Sequence, residues 1–220
     1  MLRRRAREGW TLAELLVTLG VIALLAGLLL PASTTVLRYA RRVACAGNLR
    51  QVALCVHAYA GDWDGLLPAE GNLGIKEAAK SPAWFDRLPP YVDERDVRGR
   101  SIFQCPAFRW SGPQVFDHAS PKSYKMNAYL DEAGRPRHYR LGSARREGEI
   151  VLFVDAVAGE TGMGQWGHCL ASAVSDERHR GAVNVLALDG RTVSAEPRSP
   201  QGWAKGLRWL PEGWAGGPKD

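Results

Sequence analysis

Apolar and polar positions divide the chain into three stretches of different character. An arginine-rich opening, Met1 to Gly9, precedes a run from Leu15 to Leu37 that carries no charge, and Leu15–Leu30 is almost wholly apolar. A helix of about 20 residues spans a hydrocarbon core of roughly 30 Å, so this pattern predicts a membrane-crossing helix over 10–33. The stretch from Val36 to Tyr59 holds no proline and predicts that the helix continues over 34–60. At about 100° per residue Arg38, Arg41 and Arg42 share one side, and Leu49, Val52, Val56 and Tyr59 follow on nearly the same side. The apolar stripe predicts burial against a head; the arginines suit either anionic head groups or a solvated face. Gly61-Asp62-Trp63-Asp64-Gly65 and Pro68 then stop the helix.

Past Pro68 the pattern breaks into turns and short elements, which we read as a head over 61–212 and a loose tail over 213–220. Ser81-Pro82-Ala83-Trp84-Phe85-Asp86 predicts a capped short helix. Strands are expected from Ser123-Tyr124, at Ile150–Val154 and at Val183–Leu188, with Asp189-Gly190 turning the chain back into Arg191-Thr192-Val193. The fold class is therefore α+β: a long N-terminal helix, membrane-spanning in its first half, packed on a small antiparallel β-sheet head.

Composition narrows the partners. The formal charge is +6, and the first nine residues supply +3 of it, so the remainder is only mildly basic. That distribution is a topology signal, with the arginines held in the cytoplasm and the head outside the inner membrane, and not a nucleic-acid stripe. After the apolar run the chain is long enough for one domain of ordinary size.

Glu14 sits inside the start of the apolar run, where a carboxylate costs on the order of 2.5–3.5 kcal/mol. Cutting between Gly9 and Trp10 would create an α-ammonium four residues before it. A secretory signal peptide would instead place its cleavage near Pro31-Ala32-Ser33. Gly9-Trp10-Thr11-Leu12-Ala13-Glu14 followed by the apolar run resembles the cleavage and methylation signal of type IV prepilins and type II secretion pseudopilins. Trp10 stands where that family usually has Phe, and Ala13 where a larger aliphatic is common. The resemblance implies a leader over 1–9 removed by prepilin peptidase, N-methylation of Trp10, and Glu14 pairing with the N-terminus of a neighbouring pilin or pseudopilin subunit during assembly.

His179 followed after nine residues by Asp189-Gly190 resembles the C-terminal signature of the prepilin-type processing-associated proteins. Cys45 with Asn48-Leu49-Arg50-Gln51, Tyr59-Ala60, Trp84, Phe103 with Cys105-Pro106, and Ser123-Tyr124 with Asn127 agree with it in order. This resemblance names an architecture, not an activity. His179 and Asp189 have no Gly-x-Ser-x-Gly elbow near Ser172 or Ser175, so we expect them to fix a hairpin and expect no enzyme and no cofactor. Asp155, Glu160, Asp176 and Asp189 could supply oxygens to Ca²⁺, as the heads of major pseudopilins do by resemblance, but match no EF-hand spacing. Nor do His168-Cys169 and a distant His179 make a zinc motif. The metal question stays open at this level. Of the four cysteines, Cys45 and Cys55 lie roughly 15 Å apart on one helix and cannot pair. Cys45 faces the same side as Leu49, so a Cys45–Cys105 disulfide is the expected staple; Cys55 and Cys169 either pair or stay as buried thiols. A membrane-anchored extracytoplasmic binding module, not assembled into a filament, is the alternative to a pilin-like subunit.

Overall fold

The computed structural model describes residues 10–69, 84–92, 102–109, 123–130, 139–156, 168–169, 178–179, 181–195 and 206–210; the side chains of 29–33 and 168–169 are not part of that description. The leader with Gly9, Ser81-Pro82, Glu160, Asp176 and the tail fall outside it. The chain divides into two units, Met1–Ala40 and Arg41–Asp220.

Helix α1 runs from Leu12 to Asp62. It starts at Leu12 because Thr11 is its N-cap: the Glu14 carboxylate accepts from the Thr11 N–H (2.8 Å) and hydroxyl (2.8 Å), while Glu14 N donates to Thr11 Oγ1 (3.3 Å). This is a capping box, which satisfies two otherwise orphaned donors. It gives Glu14 a local partner that the sequence reading did not foresee. In the first unit the apolar side chains from Leu12 (80% exposed) to Leu28 are exposed on every side of the helix. Among the described residues no helix is long and apolar enough to cross a membrane. The span expected over 10–33 runs into residues 29–33, whose side chains lie outside the description.

In the second unit the other half of α1 lies on the sheet. Leu49, Val52, Val56 and Tyr59 are all buried, as their spacing predicts. The helix ends where Asp64 and Gly65 take left-handed backbone angles (φ 55° and 78°) and Gly65 N returns to Ala60 O at 2.7 Å. A one-turn helix α2, Trp84–Arg87, inserts Trp84 edge-on against Phe153, ring centroids 4.9 Å apart.

The sheet has five strands: β1 Tyr124–Asn127, β2 Val151–Asp155, β3 His168–Cys169, β4 Val183–Ala187 and β5 Thr192–Ala195. Their order is β3-β1-β2-β4-β5; β1, β2, β4 and β5 are antiparallel, and the two-residue β3 adds to β1 in parallel. The β4–β5 hairpin turns through Leu188 and Asp189, with Gly190 N on Ala187 O (3.0 Å) and Gly190 at φ 85°. A Cβ at Gly190 would sit 3.3 Å from the exposed His57 ring of α1, which can give way, so it is the left-handed backbone that calls for glycine.

Both faces of the sheet are covered. Leu152, Phe153 and Leu186 join the α1 side chains and Trp84 in the main core; Val151, Val154, Val183 and Val185 form a smaller core on the opposite face, under Leu207 and Trp209. The register of β2 against β4 slips between Val151 and Phe153. That bulge lets Leu152 and Phe153 face α1 in succession, and so puts Asp155 on the α1 side where uninterrupted alternation would aim it away.

Candidate functional site

Four side chains from separate segments meet under α1. Cys45 enters from the buried stripe of the helix. Cys105 comes from a loop held by Asn48 Nδ2 on Gln104 O (3.0 Å) and by Cys105 N on Ser123 Oγ (2.6 Å). Asp155 ends the bulged strand β2, and His179 precedes β4. All four are buried, and their donor atoms lie within 4.8 Å of one another.

Cys45 Sγ is 3.4 and 3.6 Å from the two Asp155 oxygens. His179 Nε2 is 3.4 Å from Cys105 Sγ and 3.4 Å from Asp155 Oδ2. Around them, Tyr124 donates its hydroxyl to Cys45 (Sγ 3.1 Å, O 3.2 Å), and Asn184 N donates to Asp155 Oδ2 at 3.1 Å. The Arg178 guanidinium stands 3.7 Å from Asp155 Oδ1 and over the Phe108 ring.

The two thiols are driven apart in acidity. Burial, with the Cys105 hydrogen bond and the Asp155 charge, pushes Cys45 up. The hydrogen bond from Cys45, joined by His179, outweighs burial at Cys105 and pulls it down to about 5. Burial alone would lower His179, but its bonds to Asp155 and Cys105 raise it to about 9.

This geometry is not that of a nucleophile relay. A Cys–His–Asp relay sets thiol and carboxylate on opposite ring nitrogens, whereas here both face Nε2, and Nδ1 has no partner among the described residues. Four donors of metal-binding types converge on one point. A pocket of about 500 Å³ lies beside the cluster, lined by Arg41, Asn48, Cys105 and Arg109.

The sequence-level expectations are distributed unevenly over this site. Cys45 and Cys105 come together, but as free thiols, each with other partners, and not as a disulfide. Cys55 is a buried thiol whose Sγ lies 4.0 Å from Tyr91 O. His179 and Asp189 sit beyond opposite ends of β4. The carboxylate beside His179 is Asp155, while Asp189 accepts from Arg191 N (2.9 Å) in the hairpin. Asp155 was foreseen as an oxygen donor, though not with sulfur around it. Arg42 donates to Ser194 Oγ (Nε, 3.0 Å), tying α1 to β5. Compared with known protein families, curated proteins and solved structures, the chain matches none.

Proposed function

We propose that this chain is a pseudopilin- or minor-pilin-like structural subunit, anchored in the inner membrane by the first half of α1 and carrying an extracytoplasmic head. Prepilin peptidase removes 1–9, and the mature subunit joins related subunits in a type II secretion or type IV pilus-like system; no catalysis is assigned to it. The observation that carries this reading is α1 itself. One helix begins two residues after the candidate cleavage bond Gly9–Trp10, and its second half seats on an antiparallel sheet. The apolar side chains from Leu12 to Leu28, exposed all round the helix, suit lipid or neighbouring helices and not water.

Glu14 has two roles to separate, a cap for α1 and a charge partner for a neighbour's terminal ammonium. Gln preserves the capping box and removes the charge; Ala removes both. In cells that assemble the subunit, Glu14→Gln and Glu14→Ala are both expected to abolish recovery in the sheared or detergent-stable assembled fraction while leaving membrane insertion intact. Normal assembly of Glu14→Gln would sink the charge-pairing role.

The binding-module alternative rests on a specific surface. Trp63, 47% exposed, stacks on Tyr59 with centroids 5.5 Å apart, lies under the Arg87 guanidinium, and lines an open groove with Asp62, Asp86 and Tyr91. A head that binds a glycan array through this groove and loses binding on Trp63→Ala, in a chain that is not recovered in any assembled fraction, would favour it.

A further inference from the structure

We propose that Cys45, Cys105, Asp155 and His179 form a closed tetrahedral site for one structural zinc ion that clamps α1 to the sheet. The proposal concerns the folded head and holds whether or not the subunit assembles.

Donor spacing is the first argument. Zinc bonds of about 2.3 Å to sulfur and 2.0–2.2 Å to nitrogen or oxygen place the four donors of a tetrahedron about 3.3–3.8 Å apart. Three of the six donor pairs lie in that range, at 3.4 Å for Cys105 Sγ to His179 Nε2, 3.4 Å for His179 Nε2 to Asp155 Oδ2, and 3.6 Å for Cys45 Sγ to the same Asp155 oxygen, and all the donors lie within 4.8 Å of one another. Sulfur and nitrogen converge with one oxygen, so the set is too soft for Ca²⁺ or Mg²⁺, which take six or more oxygens.

Charge is the second. Two thiolates and a carboxylate around Zn²⁺ leave one negative charge, and the Arg178 guanidinium 3.7 Å from Asp155 offsets it within a buried site. Surrounding bonds hold two of the four ligands in place: Tyr124 on Cys45, and Asn184 N and Arg178 on Asp155.

Connectivity is the third. The four ligands come from α1, the loop 102–109, the end of β2 and the segment before β4, so one ion would tie the helix and that loop to the sheet. With all four positions filled by protein, no site is left for substrate or water, and the role is structural.

The test uses the full chain, extracted in detergent and purified without reductant or chelator, with zinc measured by elemental mass spectrometry. We expect about one zinc per chain, background zinc in the Cys45→Ser/Cys105→Ser variant, unchanged zinc in Cys55→Ser, and a lowered melting temperature after chelation. Should the double variant fail to fold, cobalt exchanged into the wild-type chain decides. Strong visible d–d bands with thiolate charge transfer support tetrahedral sulfur ligation, and a pale octahedral spectrum overturns it. Substoichiometric zinc, zinc retained by the double variant, or a Cys45–Cys105 disulfide in the untreated chain would each overturn the proposal.

Discussion

Tyr139 shows how a single buried group ties stability to pH. Its hydroxyl donates to Glu147 Oε1 at 2.9 Å, and the same oxygen accepts from Gly142 N at 2.7 Å. Burial first, and the Glu147 bond second, push the phenol above its ordinary range. The native state therefore holds this proton where an unfolded tyrosine, with a pKa of about 10, has begun to release it. A group whose neutral form is favoured in the fold contributes fully below the unfolded value and loses that contribution as pH rises through the folded one. The wild type should thus lose stability to urea above about pH 10. Tyr139→Phe should cost about 1 kcal/mol at neutral pH and flatten part of the alkaline loss. An unchanged alkaline slope in Tyr139→Phe would contradict the assignment. The same attention to single residues separates the two roles of Glu14, because the sequence showed a charge in an apolar run while the structure shows a cap.

At the level of elements, the second half of α1 makes a sharp prediction. Leu49 is fully buried against the sheet, whereas Leu54, a turn away, is 71% exposed. Leu49→Ala should destabilise the head by about 2–5 kcal/mol, and Leu54→Ala by no more than about 0.5 kcal/mol, as read by chemical denaturation. Equal effects would mean that the helix does not seat as described. Here the sequence was informative: spacings of three and four place Leu49, Val52, Val56 and Tyr59 on one face, and strict turn chemistry places the β4–β5 hairpin. Less was legible where pattern rules bend. Alternation along Ile150–Asp155 gives no warning of the bulge that turns Asp155 toward α1. A two-residue strand such as β3 has too little pattern to be seen. The Cys45–Cys105–Asp155–His179 cluster was illegible as a motif because no two of its donors share a segment; only tertiary packing joins them. Its traces in the sequence are separate ones: the inward side of Cys45, which points to Cys105 as a disulfide partner, and Asp155 as an oxygen donor.

For the whole molecule, α1 carries exposed apolar side chains from Leu12 to Leu28 and, in its second half, helps to build the core of the head. Cutting after Gly9 leaves Trp10 and Thr11 ahead of α1, so the capping box of Thr11 and Glu14 survives processing. The new ammonium would then lie within a few residues of that carboxylate, and in the proposed membrane setting an unpaired charge is costly. Intact-mass and N-terminal peptide measurement on the membrane-extracted chain tests this directly. The account predicts a mature chain that starts at N-methylated Trp10. A chain that still carries Met1 to Gly9, or one that starts beyond Pro31, would contradict it.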